Sequence, residues 1–254
     1  MACIFLTNAI LAEIIGVKIF SLEKTLGLPA AQIQMLGSWV LNFDLSAGVM
    51  LWPVVFITTD VINEYFGKAG VKRITLLTTV FIAYVFLMLG IVTALAPADF
   101  WVSMNQTDSA GNHLNIHEAF NRIFGQSMGI IVGSLVAFVV GQIIDASSFQ
   151  FMRRLTKGNW LWLRATGSTI ISQLTDSFLV ITIAFKLFGN PPWSWEQILS
   201  VGSLGYAYKF LVAVVSTPIL YLAHYFIVRY LGKEHSEQIS RQASQTVFFK
   251  NSKV

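Results

Sequence analysis

Residues 74–95 read ITLLTTVFIAYVFLMLGIVTAL, 22 residues in a row without a charge. A helix rises 1.5 Å per residue, so a run of about 20 apolar residues crosses the hydrocarbon core of a bilayer. Five more runs, 4–26, 47–66, 128–151, 161–188 and 198–231, approach or exceed that length. The chain therefore reads as an all-α polytopic membrane protein with six transmembrane helices. Composition agrees, because 12% of the residues are charged, 55% are hydrophobic and the mean hydropathy is +0.64. A soluble globular domain carries about 25% charged residues.

The first run has no basic leader and no clear small-residue cleavage site, so it reads as a retained helix rather than a signal peptide. Residues 30–44 form a moderately apolar connection, a short helix or the early part of the second span. Residues 97–123 form a polar, aromatic loop. The expected organisation is one membrane domain, 1–232, followed by a solvated cytoplasmic tail, 233–254.

Basic residues orient the chain, because loops on the cytoplasmic side are enriched in lysine and arginine. Lys68, Lys72 and Arg73 follow the second run, and Arg153, Arg154, Lys157 and Arg164 follow the fourth. Arg229, Lys233, Arg241, Lys250 and Lys253 follow the sixth. These twelve fall on one side, against Lys24, Arg122 and Lys186 on the other. Both termini are expected in the cytoplasm. A net charge of +4 in such a chain is a topology signal and does not point to direct nucleic-acid binding.

Cys3 is the one cysteine, so neither a disulfide framework nor a zinc spacing exists. No ATPase motif or Gly-rich phosphate loop is present, and no cofactor is implied. Asn105-Gln106-Thr107 is a sequon in the outer loop. His113 and His117 stand four apart beside Glu118, but no third cluster of ligands accompanies them and a solvated loop helix is expected.

The informative residues are ionisable groups inside the apolar runs. Each costs about 2.5–3.5 kcal/mol at the centre of a membrane helix, so it faces protein or a watery cavity. The runs contain Glu13, Lys18, Asp60, Glu64, Asp145, Asp176 and Lys209. Gln142 precedes Asp145 by three residues, and Gln173 precedes Asp176 by three. That spacing places each pair on one helix face. In STIISQLTDS, Ser168, Ser172 and Asp176 recur every four residues with Thr169 and Gln173 beside them, giving a helix with one polar stripe. Counted at 1.5 Å per residue, Asp145 lies ~12 Å from Arg153, Asp176 ~18 Å from Arg164 and Lys209 ~15 Å from Leu199. All three reach the middle of the membrane, and Lys209 is the counter-charge to one of the carboxylates.

A second pattern runs through the fourth span. Gly125, Gly129, Gly133, Ala137, Gly141 and Asp145 form a ridge of small residues that admits a neighbouring backbone. It serves either packing within the monomer or a homodimer. Pro53 and Pro218 free backbone carbonyls suited to a cavity wall.

Four segments, WPVVFITTDVINEYFGKAGVKR, GQIIDASSFQFMRR, WLWLRATGSTIISQLTDS and YAYKFLVAVVSTP, occur in this order. Together they resemble the queuosine-precursor transporter family of the vitamin-uptake superfamily, over spans two to six. The resemblance implies a six-helix bacterial inner-membrane importer of 7-deazaguanines (preQ0, preQ1 or queuine) for tRNA modification. It assigns the site to Pro53 and Asp60, to Gln142 and Asp145, to Ser168, Thr169 and Asp176, and to Lys209. Asn8 is the match in the first span, while Glu64 and Gln173 occupy positions that vary in the family.

The chemistry agrees on its own terms. A 7-deazaguanine presents two donors, N1–H and an exocyclic amine, beside the O6 acceptor. A carboxylate accepts two such hydrogen bonds, and a glutamine amide donates to O6. Phe149, Phe178, Tyr206 or Tyr208 supplies a ring to stack on the base. Two other functions compete. A substrate-binding subunit driven by a separate ATPase needs an Ala-x-x-x-Ala docking surface, and none is convincing here. An intramembrane enzyme needs an activated nucleophile or positioned water beside its acids, and no such signature accompanies them. The expected partners are a small nucleobase and the bilayer.

Overall fold

The computed structural model describes residues 1–30, 32–34, 40–41, 43–157 and 159–245. Helix α1 (Ala2–Ile15) leads into strand β1 (Ile19–Ser21) and the single turn α2 (Leu22–Thr25). Two short strands, β2 (Ile33–Gln34) and β3 (Val40–Leu41), pair antiparallel, and β4 (Asp44–Ser46) returns to pair with β1. A 3₁₀ turn (Ala47–Leu51) opens α3 (Trp52–Thr93). The connection between α3 and the next long helix carries α4 (Asp99–Met104) and α5 (Ile116–Phe124). Then follow α6 (Met128–Leu155), α7 (Leu161–Ile181) with a π-helical extension (Thr182–Leu187), α8 (Trp195–Leu231) and α9 (Lys233–Gln245).

Four helical stretches, Ala47–Thr93, Ile116–Leu155, Leu161–Leu187 and Trp195–Leu231, are long and apolar enough to cross a membrane. The fold is thus a helical, polytopic membrane protein. The first stretch holds two of the expected spans end to end, broken at Gly67. Gly67 has φ 67° and ψ −174°, a left-handed conformation that side chains resist, and a Cβ there would sit 2.5 Å from the carbonyl oxygen of Ala243. The turn therefore needs glycine for its backbone angle and for the close passage of α9.

The sequence places the first span at 4–26, yet α1 stops at Ile15, and Lys18 lies beyond it. The stop is built from outside the helix. Ser46 Oγ donates to the Gly16 carbonyl at 2.8 Å, and Gln126 Nε2 donates to the Glu13 carbonyl at 3.2 Å. These satisfy carbonyls that a helix end leaves orphaned. The connection expected over 30–44 contains β2 and β3, while positions 31, 35–39 and 42 lie outside the described residues. Pro53 sits in the first turn of α3, where its missing N–H costs nothing, so it frees no carbonyl within a helix. Pro218 is inside α8 but is not among the cavity-lining residues.

The glycine ridge is spent inside the chain. A Cβ at Gly133 would meet the Val180 carbonyl oxygen at 3.0 Å and the Ala184 amide nitrogen at 3.4 Å, both backbone atoms of the α7 segment. A Cβ at Gly129 would strike the Phe188 Cβ at 2.5 Å. Gly125 belongs to the end of α5 and falls outside the seam. The close α6–α7 approach brings Gly141 to 3.7 Å from Asp176 and sets Asp145 against the hydroxyls of α7. Gly133→Leu overfills this seam and is expected to cost about 1–3 kcal/mol. Thermal unfolding of the purified protein would fall by several degrees; an unchanged midpoint with a lost dimer would return the ridge to a homodimer role.

Of the tail expected to be solvated, 233–254, positions 246–254 lie outside the described residues. Over 233–245, α9 packs on α8 and on α3 beside its break at Gly67, with Ser236 and Ala243 buried and the others up to Gln242 largely exposed. Tyr65 Oη lies 2.8 Å from His224 Nδ1 and 3.2 Å from Ser236 Oγ. Along α3 the side chains of Leu76, Val80, Tyr84, Leu87 and Ile91 are about half exposed or more, which suits a surface covered by lipid.

Candidate functional site

A cavity of about 630 Å³ opens between α1, α3, α6, α7 and α8, with residues 122–127 and 46–48 at one end. Its wall contains Gln142, Asp145, Thr169, Gln173, Asp176 and Lys209, so six of the ten expected site residues converge there. Helix periodicity explains the convergence. Gln142 and Asp145 stand one turn apart on α6, and the polar stripe of α7 faces them.

Asp145 is held firmly and left half-satisfied. Its Oδ1 accepts from Ser168 Oγ at 3.0 Å, from Ser172 Oγ at 3.3 Å and, at the limit, from Thr169 Oγ1 at 3.5 Å. Its Oδ2 is buried with no partner among the described residues. Gln142 Oε1 is likewise buried and unpartnered. Asp145 is 5% exposed and Gln142 9%, so water competes poorly for these two acceptors. A buried acceptor without a partner costs about 1–3 kcal/mol, and here two such atoms belong to residues that line one cavity.

Lys209 pairs with Asp176, which settles which aspartate takes the lysine. Its ammonium also lies 4.6 Å from the centroid of the Trp52 ring. Three helices, α3, α7 and α8, thus join at one cation.

The other four expected residues lie elsewhere. Ser168 is fully buried and reaches the site only through Asp145. Asp60 is buried and does not line the cavity, its Oδ1 unpartnered among the described residues, within electrostatic range of Asp145, Glu64 and Arg164. Phe149 was expected to stack on the base but is wholly buried in a core cluster with Val61, Tyr65, Ala165 and Leu220. It stands one turn beyond Asp145 along α6, and the Arg164 guanidinium lies 5.8 Å from its centroid. Asn8 folds its amide onto the Ile4 carbonyl of its own helix at 2.8 Å and does not line the cavity.

The aromatic wall comes from residues that the sequence did not single out: Trp52, Phe56, Phe138 and Phe185. Phe185 reaches it from the π-helical extension of α7 and is stacked on Trp193 at 4.3 Å. Phe178 packs instead on Gly202, and Tyr208 packs on Trp52. Glu13 and Ser172 also line the cavity. The stripe spacing points to Ser172, and Glu13 is one of the ionisable groups of the first apolar run.

Beyond Asp145, toward Arg153, the helices are tied by a polar cluster. Arg164 donates to both oxygens of Glu64, at 3.1 and 3.0 Å, and Arg153 lies 3.6 Å from Glu64 Oε1. Ser240 of α9 donates to Glu64 Oε1 at 2.7 Å, and Arg153 in turn donates to the Ser240 carbonyl at 2.6 Å. On α5, His117 Nε2 lies 3.1 Å from Asn121 Nδ2, and Glu118 pairs with Arg122.

Residues 46–223 match the family model described as "Putative vitamin uptake transporter". The chain is 31% identical over 185 residues to a Bacillus subtilis (strain 168) protein named "Probable queuosine precursor transporter", covering 71% of this chain and 73% of that one. It is 26% identical over 180 residues to the "Queuosine precursor transporter" of Escherichia coli (strain K12), covering 69% and 71%. A Haemophilus influenzae (strain ATCC 51907 / DSM 11121 / KW20 / Rd) protein, also named "Probable queuosine precursor transporter", is 24% identical over 177 residues, covering 68% and 66%. No solved structure matches the chain.

Proposed function

The chain belongs to the vitamin uptake transporter family, and from that premise we propose that it carries a 7-deazaguanine precursor of queuosine across the bacterial inner membrane. The observation that carries this reading is the pair of buried, unpartnered acceptors, Asp145 Oδ2 and Gln142 Oε1, on two residues that line a cavity large enough for a base. The Watson–Crick edge of a 7-deazaguanine offers two adjacent donors, N1–H and the exocyclic amine, to such a pair. The Gln173 amide and the Lys209 ammonium lie on the same cavity and are donors suited to O6. Trp52 and the phenylalanine rings give the planar base a stacking surface, a contact worth roughly 1–3 kcal/mol per base.

In this reading the chain crosses the membrane six times, through α1, the two arms of α3, α6, the extended α7, and α8. Residues 1–232 are the transport domain, and both termini are cytoplasmic. Arg153, Arg164 and α9 then lie at the inner end, and the Arg122 end of the cavity faces outward. The role is transport rather than catalysis. A homodimer loses the glycine ridge as its seam, so one chain suffices to form the cavity.

Expression in a bacterium unable to make the precursor, supplied with each 7-deazaguanine in turn, should restore queuosine in its tRNA for at least one base. Queuosine that stays absent with every base, in cells whose membranes contain the protein, would overturn the reading.

A further inference from the structure

We propose that Glu13 forms a second subsite, one for a positively charged substituent on the base, so that the cavity selects a cationic 7-substituted deazaguanine over a neutral one. This rests on the transport reading above. The argument starts from the charges on the cavity wall, which are Glu13, Arg122, Asp145, Asp176 and Lys209. Lys209 is taken by Asp176 and by the face of Trp52. Arg122 pairs with Glu118, and its side chain is 79% exposed. Glu13 and Asp145 form no ion pair among the described residues: Glu13 is within electrostatic range of Lys209, but that ammonium is bonded to Asp176, and Glu13 is held by Ser134. The wall therefore carries two carboxylates in excess.

Each of these carboxylates gave up water on entering the fold, and an ion taken from water without a partner is costly. A neutral base fills the volume and satisfies the two acceptors of α6 but leaves the excess charge in place. A base carrying an ammonium on its 7-substituent supplies the missing cation. The two carboxylates also stand on different elements. Asp145 is on α6 beside Gln142, where the base edge binds, while Glu13 is on α1. Glu13 shares its part of the wall with Ser46 and Ser134, hydroxyls that add acceptors for a three-donor ammonium. Recognition of the ring and recognition of its substituent are thus assigned to separate walls of one cavity.

The test is equilibrium binding to the full chain in lipid nanodiscs. The probes are 7-aminomethyl-7-deazaguanine, a cation, and 7-cyano-7-deazaguanine, which is neutral and presents the same edge. Hydrogen bonds to charged groups contribute about 1.5–3 kcal/mol, so the cation should bind roughly 10- to 150-fold more tightly. Glu13→Gln should bring the two affinities within about threefold, and Glu13→Asp, which keeps the charge, should retain a preference for the cation. Comparable binding of both bases by the unsubstituted chain would overturn the inference, as would a preference that survives Glu13→Gln. Binding of neither base by the unsubstituted chain would instead remove the transport reading, and this inference with it.

Discussion

Asp145→Asn is expected to abolish uptake of labelled 7-deazaguanine while leaving the protein inserted and folded. The two oxygens of Asp145 have different work. Oδ1 accepts from Ser168 and Ser172, and Oδ2 stands buried without a partner. Asparagine keeps an oxygen for the hydroxyls, so the α6–α7 seam survives. It then directs an NH₂ to the place of Oδ2, where a donor confronts the donors of the base. Turning the amide over restores the acceptor but sets the NH₂ against Ser168 and Ser172. Either orientation sacrifices one set of bonds. Loss of a hydrogen bond to a charged group, with a donor left unmet, amounts to about 3 kcal/mol or roughly 150-fold in affinity. At substrate concentrations below saturation, uptake should fall to background, with equal amounts of protein in the membrane by immunoblot. Uptake at the rate of the unsubstituted chain would show that the base edge is read elsewhere.

The second large effect concerns stability. Glu64 is the anion shared by Arg164 and Arg153, and all three side chains are 8% exposed or less. Glu64→Gln removes that anion and leaves two neighbouring guanidiniums facing a neutral amide. Breaking a buried ion pair by removing one partner costs about 3–5 kcal/mol. For a chain of this size that lowers the unfolding midpoint by roughly 10 °C. Arg164→Met should cost less, because Arg153 and Ser240 still attend the carboxylate. The order is the informative result, read from thermal midpoints of the purified variants. A larger loss for Arg164→Met than for Glu64→Gln would mean that the cluster is organised around the arginine. Ser240 gives the cluster a further consequence, because it fastens α9 to α3 beside its break at Gly67 and to the end of α6. Destabilising Glu64 should therefore also loosen α9, which protease cleavage within residues 233–245 would report.

The amino-acid sequence determined the membrane class, the polar stripe of α7 and six of the polar residues on the cavity wall. These are local properties. Apolar runs count their own length, and i,i+3 or i,i+4 spacing assigns a side chain to a helix face without knowledge of its neighbours. Desolvation cost likewise marks Asp145, Asp176 and Lys209 wherever the helices pack, because no lipid-facing position accepts them.

Tertiary structure decided what depends on which helices meet and at what depth. Lys209 took Asp176, while the hydroxyls of α7 hold one oxygen of Asp145. Phe149 fell one turn beyond the cavity into the core, and Trp52, Phe138 and Phe185 became its aromatic wall. The glycine ridge closed within the monomer, since the backbone of α7 lies against it. Glu13 lines the cavity two residues before α1 stops, and that stop is made by Ser46 and Gln126, residues distant in the chain. Gly67 and α9 follow the same rule, since the close approach of Ala243 is invisible in either segment alone. Periodicity fixes the face a residue presents, and only packing fixes the partner that it meets.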